Sequence, residues 1–287
     1  MQTACALDEH GRLARLGEPG DVPWWSFSKT VLATAALRLA DPGVLALDAP
    51  VAGERYTLRQ LLRHEAGVAN YGRLADYHAA VARGEAPWPV SELLARLDAG
   101  RLRFEPGQAW AYSNVGYLKV GQILAEDAGR PLETVLRELV LRPAGAERAR
   151  LAQVPSDLQG VNMGTAPDYH PGWVYHGLLV GDLADAARIL RWLLGGDALS
   201  PQMFAAMVDA RRMPEFRNAL WREPGYGLGL MTPILASGRQ LFGHTGDGPG
   251  SRVAAYGLAR GERVAAAWAS ADAEMDVEAE AARLLTG

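Results

Sequence analysis

The sequence has very little cysteine and lysine, no excess of positive charge and no long run of apolar residues. Of its 29 basic residues only Lys29 and Lys119 are lysine. The single cysteine, Cys5, excludes an intramolecular disulfide and a zinc site built from cysteines. No apolar stretch approaches the length that spans a bilayer, and the net charge is −4. We therefore expect neither a membrane nor a nucleic acid as a partner.

The composition is that of an ordinary globular chain. Hydrophobic residues make up 49% and charged residues 22% of its 287 positions, which fits one large domain or a domain with an inserted subdomain. Residues 1–20 lack the basic start and the apolar segment of a secretory signal peptide. This pattern predicts a cytoplasmic location.

Strand patterns occur at both ends of the chain and helix patterns occur between them. Two short strands are predicted at residues 2–7 and 11–16, and an apolar helix at 27–40. Four more strands and a closing helix are predicted near the C-terminus, at 226–233, 239–244, 252–259, 263–269 and 272–285. One sheet built from both ends is therefore expected, with a large helical insertion. The predicted division is an α/β sheet domain at 1–45 and 225–287, and a mostly helical domain at 46–224.

The first motif that indicates chemistry is Ser26-Phe-Ser-Lys29, at the start of the predicted helix. Residues three apart lie on the same helix face, so the Lys29 amine can reach the Ser26 hydroxyl. Burial would lower the pKa of that amine, which could then accept the serine proton. Arginine could not do so, because its guanidinium stays protonated in proteins. A capping serine with a surface lysine is the structural alternative for this motif alone.

Two further motifs carry residues suited to the same chemistry. Tyr112-Ser113-Asn114 precedes a predicted helix, and a tyrosine beside a lysine can act as a general base if its pKa falls. His244-Thr245-Gly246 ends a predicted strand, where backbone groups and a glycine allow close approach of an extended substrate. Taken separately, each also reads as a simple structural feature: a helix cap in the first case and a strand ending in a turn in the second.

The order and spacing of these three motifs resemble the serine β-lactamase-like family. That family includes class C β-lactamases, DD-peptidases and related esterases and amidohydrolases. The resemblance runs from about residue 24 to about residue 270 and includes Phe104-Glu-Pro-Gly107 and Tyr226-Gly-Leu-Gly229. It implies an α/β (α+β) sandwich, in which an antiparallel sheet with flanking helices carries an all-helical domain and the active site lies between the two.

The resemblance also implies roles for individual residues. Ser26 would be the nucleophile that forms an acyl-enzyme, and Lys29 and Tyr112 would activate it and move its proton. The backbone N–H groups of Ser26 and Asp247 would form the oxyanion hole. Substrate would be positioned by four residues of the second and third motifs, namely Asn114, His244, Thr245 and Gly246. No metal and no organic cofactor is implied.

Two departures from the family pattern bear on the substrate. Asp247 stands where small residues are usual, and its carboxylate would oppose negative charge on the oxyanion unless it turns away or meets a cation such as Arg252. His244 stands where many β-lactamases have lysine, and a largely neutral histidine binds a carboxylate less strongly. We therefore predict a hydrolase of a small ester or amide. The alternatives are a true β-lactamase or DD-peptidase, and an inactive binding protein on the same fold.

Overall fold

The computed structural model describes residues 1–287, which form twelve strands and nine helices. The strands are β1 Gln2–Leu7, β2 Leu13–Leu16, β3 Asp21–Pro23, β4 Arg150–Ala152, β5 Leu178–Asp182, β6 Arg211–Arg212, β7 Trp221–Glu223, β8 Gly225–Tyr226, β9 Ile234–Leu235, β10 Phe242–Gly248, β11 Ser251–Gly257 and β12 Val264–Ser270. The helices are α1 Ser28–Ala40, α2 Leu58–Leu62, α3 Ala75–Ala82, α4 Val90–Arg96, α5 Asn114–Ala128, α6 Leu132–Leu136, α7 Leu183–Leu194, α8 Pro201–Val208 and α9 Val277–Thr286.

The main sheet is built from both ends of the chain, as the sequence predicted. Its five strands follow the order β10-β11-β12-β1-β2, and each pairs antiparallel with its neighbour. The N-terminal hairpin and the C-terminal strands meet where β1 pairs with β12, with Cys5 opposite Ala266. The sheet therefore depends on pairing between the two most distant parts of the sequence.

The central strand β12 is buried on both faces of this sheet. Successive side chains of a strand point to opposite faces. Ala266 and Trp268 accordingly join the larger core with helix α7, while Ala265 and Ala267 join a smaller core with helix α9. A strand covered on both sides explains why its sequence is continuously apolar rather than alternating.

Helix α7 bears on the domain division that the sequence suggested. It packs on β1, β11 and β12 and so belongs to the layer beside the sheet, although its sequence lies within 46–224. A second, three-stranded sheet of order β3-β5-β4 leads into it, and the sequence did not predict this sheet. We therefore propose a sheet domain that also includes α7, with the remaining middle of the chain forming the helical region.

Helix α1 is the central helix that its apolar pattern indicated. Eleven of its residues are buried, among them Lys29, and it packs against α5, α6 and the π-helical turn Arg137–Leu141 that follows α6. Its first residue follows a 3-10 turn, Trp25–Phe27, which lies against β10. Ser26 is thus held where the sheet edge meets the helical region. None of the helices has the length and apolar character needed to cross a membrane.

Three of the predicted elements near the C-terminus were wrong in extent. The strand predicted at 239–244 is β10, Phe242–Gly248, so the His244–Gly246 motif lies within the strand and does not end it. Of the predicted strand 226–233 only Tyr226 lies in a strand, because the glycines that follow bring the chain against helices. At Gly229, which has a positive φ, the carbonyl accepts from Thr30 Oγ1 and the N–H donates to the Leu62 carbonyl. The closing helix begins at Val277 rather than 272, where Asp276 caps it through two backbone N–H groups.

Candidate active site

Ser26 lies in the 3-10 turn that precedes helix α1, at the edge of a cleft. The residue before it, Trp25, has φ 42°, a left-handed conformation that costs energy for a bulky side chain. The Trp25 ring is held in place, since its Nε1 donates to Ser251 Oγ (3.0 Å) and it packs edge-on against Tyr169. The surroundings of Trp25 thus maintain the turn that presents Ser26.

Ser26 Oγ accepts hydrogen bonds from both of the other predicted catalytic side chains, Lys29 and Tyr112. Lys29 Nζ lies 3.0 Å from it, as the one-turn spacing on the helix predicted. The Tyr112 hydroxyl, 86 positions further along the chain, donates to it at 2.8 Å. Lys29 is completely buried, and its Nζ lies 5.0 Å from the centre of the Tyr112 ring. The structure therefore brings the first two motifs together around one hydroxyl.

Burial shifts the two proton-transfer groups in opposite directions. It lowers the pKa of the Lys29 ammonium well below its usual value, because the charged form has lost its water. It raises the pKa of the Tyr112 phenol, and the hydrogen bond to Ser26 opposes this only in part. The resting pair is a lysine biased toward the neutral amine and a neutral phenol. Lys29 rather than Tyr112 is thus suited to accept the serine proton, which is one of the two possibilities that the sequence offered.

The loop that carries Tyr112 is fixed by the start of helix α5. Ser113 caps this helix, since its Oγ accepts from Gly116 N (2.9 Å) and donates to the Ala69 carbonyl (2.6 Å). The Ser113 N–H donates to Nδ1 of the buried His64 (3.2 Å). The capping function and the catalytic placement of this motif therefore coexist, because Ser113 caps while Tyr112 faces Ser26.

Asn114 lines the cleft and has a free acceptor. Its backbone N–H donates to Asn70 Oδ1 (3.1 Å), whereas its own Oδ1 is buried and has no hydrogen-bond partner. The structure does not join this side chain to Lys29. An unsatisfied amide oxygen at the wall of a cleft is suited to accept an N–H from a bound molecule.

The edge strand β10 runs directly beside Ser26. A Cβ at Gly246 would lie 2.7 Å from the Ser26 backbone nitrogen, so only glycine allows this approach. Gly243, at the outer edge, exchanges hydrogen bonds with Met231, and backbone groups alternate along a strand. The N–H of Asp247 therefore points to the same outer edge of the strand, and its part in an oxyanion hole stays a prediction.

His244 and Thr245 do not present their side chains to the cleft, so the substrate positioning that the motif suggested stays a prediction about the strand backbone. His244 is fully buried, with Nε2 bonded to the Tyr226 hydroxyl (3.0 Å) and Nδ1 near the Thr245 carbonyl (2.7 Å). Burial, helped by the charge of Lys29, lowers the pKa of His244 to about 3, so the ring is neutral. The Thr245 hydroxyl instead forms hydrogen bonds with the side chains of Tyr256 and Glu278. Substrate can reach these residues only through the strand backbone.

The Tyr226 hydroxyl also lies 3.1 Å from Nε2 of His64. A buried His64–Tyr226–His244 chain thus connects the Tyr112 loop to strand β10. Tyr226 belongs to a segment whose sequence resembles the family, but sequence reasoning gave neither Tyr226 nor His64 a role in the site.

The cleft has a volume of about 390 Å³ and aromatic walls. Tyr71, Tyr77 and Tyr169 line it, and Asp247 is the single Asp, Glu, Lys or Arg among its lining residues. Partial burial raises the pKa of the Asp247 carboxyl, and Arg252 opposite it on β11 counteracts this in part without forming an ion pair. No group of three or more His, Cys, Asp or Glu side chains could hold a metal ion.

Sequence reasoning also missed the second hydrogen-bond partner of Lys29. His176 Nε2 lies 3.0 Å from Lys29 Nζ, although the sequence places this histidine in a loop 147 positions away. Burial and the nearby Lys29 charge lower the pKa of His176 well below its usual value. No local pattern marks this residue, because only the fold brings it to the lysine.

The family model described as beta-lactamase matches residues 22–286. The chain belongs to the beta-lactamase family. The match includes the turn that presents Ser26, all three motifs and the closing helix. The family resemblance that the motifs suggested is therefore confirmed.

Curated relatives in this family include hydrolases of different substrates. The chain is 27% identical to the esterase EstB of Burkholderia gladioli over 263 residues, which cover 73% of this chain and 66% of the esterase. It is 29% identical to a D-aminopeptidase of Cereibacter sphaeroides over 218 residues, which cover 69% of this chain but 39% of that protein. The chain thus matches only part of these longer relatives.

Solved structures confirm the fold class. A D-stereospecific amidohydrolase from Streptomyces sp. aligns with a TM-score of 0.79 at 24% identity, over 93% of this chain and 88% of that one. The D-amino acid amidase from Ochrobactrum anthropi SV3 aligns with a TM-score of 0.78 at 19% identity, over 93% and 87%. At these identities the likeness concerns the fold.

Proposed function

We propose that this protein is a serine hydrolase that cleaves a small ester or amide through an acyl-enzyme on Ser26. The observation that carries the proposal is the position of Ser26 Oγ, within 3.0 Å of Lys29 Nζ and 2.8 Å of the Tyr112 hydroxyl. The esterase, aminopeptidase and amidase relatives support the same class of reaction.

In the proposed acylation, Ser26 Oγ bonds to the substrate carbonyl carbon while its proton moves to the neutral Lys29 amine. The carbonyl oxygen becomes an oxyanion, which accepts hydrogen bonds from the N–H groups of Ser26 and Asp247. When the carbon–leaving-group bond breaks, the leaving group takes the Tyr112 proton and Lys29 returns its proton to the tyrosine. Water then attacks the acyl-enzyme while its proton moves to Lys29. The bond between Ser26 Oγ and the acyl carbon breaks, and the Lys29 proton passes to Ser26 Oγ as the acid is released.

The cleft favours a substrate that is neutral or positively charged near the scissile bond. Its aromatic walls suit an apolar acyl group, and Asn114 Oδ1 can accept an amide N–H. Asp247 would repel a carboxylate, and no lysine or arginine lines the cleft to bind one. β-Lactams and peptidoglycan peptides carry such a carboxylate. We therefore rank an esterase or an amidase for amino-acid amides above a β-lactamase or DD-peptidase.

The nucleophile is tested with a fluorophosphonate probe and intact mass measurement. Wild type should gain one adduct, Ser26→Ala should gain none, and Ser28→Ala should still be labelled, because Ser28 Oγ accepts from Leu179 N inside the protein. A folded wild type that stays unlabelled would contradict the hydrolase and favour the inactive binding protein.

The substrate class is tested with a panel of matched chromogenic compounds. A short-chain nitrophenyl ester and the nitroanilides of both enantiomers of an aromatic amino acid should be cleaved faster than a chromogenic cephalosporin. Asp247→Asn should reduce this difference in rate, because it removes the carboxylate that repels the carboxylate of the cephalosporin. A cephalosporin turned over fastest by wild type would contradict the ranking.

We also propose that the protein works in the cytoplasm, where the substrate would be a small soluble ester or amide. Fractionation of cells that express the native gene tests the location.

A further inference from the structure

His176 contacts the same lysine amine that contacts the Ser26 hydroxyl. It lies between the 3-10 turn Pro171–Trp173 and strand β5, and both His176 and Lys29 are buried. Lys29 has no carboxylate within ion-pair distance, so Ser26 and His176 are the two polar groups that its Nζ contacts, both at 3.0 Å. A tightly enclosed amine with two partners has little freedom to turn.

The other ring nitrogen of His176 is held by a tyrosine. The Tyr71 hydroxyl lies 3.3 Å from Nδ1, and Tyr71 is itself buried against Tyr77 and Tyr175 at ring distances of 4.9 and 5.4 Å. The orientation of the imidazole is therefore determined at both nitrogens. Such a partner can select the tautomer of a neutral histidine.

The tautomer decides whether Lys29 can act as a base. A neutral amine has two N–H groups and one lone pair, and the lone pair must face the Ser26 hydroxyl to receive its proton. If His176 carried its proton on Nε2, that N–H would bind the lone pair and block the reaction. If the proton is on Nδ1, facing Tyr71, then Nε2 accepts an N–H from Lys29 and the lone pair is free.

We propose that His176 is a positioning residue whose Nε2 accepts a hydrogen bond from Lys29 and thereby turns the amine lone pair toward Ser26. The inference rests on the proposed function, since it assigns the lysine the role of base. It also gives Lys29 a hydrogen-bond acceptor when its amine becomes an ammonium during acylation.

No charged side chain near Lys29 acts on the pKa of its amine alongside His176. The titratable side chains near Lys29 come from several elements and are all uncharged in the resting state, namely Tyr112, Tyr117, His64, His176 and His244. An acceptor at Nε2 stabilises the ammonium form of Lys29. Removing that acceptor should lower the pKa of Lys29 further and move the acid limb of the rate profile to lower pH.

The test compares His176→Leu, which lacks an acceptor, with His176→Gln, whose amide oxygen can occupy the position of Nε2. His176→Leu should lower kcat on the order of 10²-fold, within the range that general base catalysis contributes. Because His176 also lines the cleft, KM is measured separately, and the proposal concerns the loss in kcat. His176→Gln should recover most of kcat and the acid limb of wild type. His170→Gln, in the same loop, is the matched control and should behave as wild type.

A His176→Leu enzyme with the kcat of wild type would overturn the proposal, as would a His176→Gln enzyme that is damaged equally. If His176→Leu does not fold, Tyr71→Phe carries the kinetic test, and an unchanged kcat with an unchanged acid limb counts against the proposal. Nitrogen NMR of the ring reads the tautomer without turnover: a protonated Nδ1 supports the proposal and a protonated Nε2 overturns it. Fluorophosphonate labelling of wild type separates this outcome from failure of the hydrolase itself.

Discussion

Lys29 and Lys119 occupy opposite kinds of environment, although they are the only lysines in the chain. Lys119 Nζ lies 2.8 Å from a Glu54 carboxylate at a partly exposed position, where an arginine could form the same ion pair. Lys29 is buried with no carboxylate partner and faces a hydroxyl. Only at Lys29 does the chemistry need a group that can lose its proton.

Replacing Lys29 with arginine should therefore abolish turnover nearly as completely as alanine does. Arginine keeps the positive charge but cannot accept the Ser26 proton at any working pH. Steady-state hydrolysis of the nitrophenyl ester measures the effect, with Lys119→Arg as the matched control that should keep full activity. An active Lys29→Arg enzyme would rule out lysine as the base.

Lys29→Met should raise the free energy of unfolding at neutral pH, although the variant should be inactive. Burial lowers the folded-state pKa of Lys29, so between that value and about 10.4 the unfolded chain binds more protons and native stability rises with pH. The buried Lys29 amine destabilises the native state fully at pH values below its folded-state pKa. It no longer does so at pH values above its unfolded-state pKa. We expect a gain of about 0.5–2 kcal/mol at pH 7 that shrinks toward pH 10.5, measured by urea unfolding. Equal stabilities at both pH values would contradict the unfavourable burial of this amine.

Tyr112→Phe should lower kcat while leaving the acid limb of the pH profile in place. The phenol donates to Ser26 and its pKa is raised by burial, so it supplies a proton rather than a negative charge. A loss on the order of 10²- to 10⁴-fold is expected, as for other general acids. If the acid limb disappeared in Tyr112→Phe, the tyrosine and not Lys29 would be the group that titrates.

What could be predicted at the residue scale depended on sequence distance. Ser26 and Lys29 are one helical turn apart, so local geometry alone brings them together. His176 reaches Lys29 only because β5 pairs with β3 just before the nucleophile turn. The burial of His244 could not be predicted either, since it depends on Tyr226 and His64 from two other segments of the chain.

At the scale of elements, the site depends on an edge strand lying unusually close to a helix start. Strand β10 carries glycines at 246 and 248, and a Cβ at Gly248 would meet the Trp25 ring at 2.4 Å. The sequence indicated this strand through its motif, but it overextended the preceding strand to 226–233. An apolar, glycine-rich segment looks the same whether its partner is another strand or, as at Gly229, a helix.

Gly246→Ala should separate β10 from the nucleophile without unfolding the protein. The added Cβ would lie 2.7 Å from the Ser26 nitrogen and must push one backbone away from the other, which widens the oxyanion hole. Loss of one oxyanion donor typically lowers kcat by about 10²- to 10³-fold. The control is Gly20→Ala, where nothing lies within 4 Å of the new Cβ. Equal kcat values for the two variants would place the oxyanion hole elsewhere.

At the scale of the whole molecule, the topology makes the two chain ends and the middle depend on one another. Strand β1 is paired on one side with β12 and on the other with β2, and helix α7 from the middle covers one face. The sheet from both ends could be predicted from the strand pattern. The position of α7 could not, because an amphipathic helix does not specify which apolar surface it covers.

Cys5, at the centre of β1, provides a single probe of this interdependence. Its thiol is buried between the sheet and α7, and burial raises its pKa to about 12, so native protein should not react with a disulfide reagent. Exposing it requires loss of strand pairing on β1, which should also displace α7 and the elements that hold the site. We therefore expect the urea dependence of Cys5 labelling to coincide with the loss of hydrolysis and of helical circular dichroism. Labelling at urea concentrations where Ser26 still reacts fully with the fluorophosphonate would instead mean that the N-terminal hairpin opens on its own.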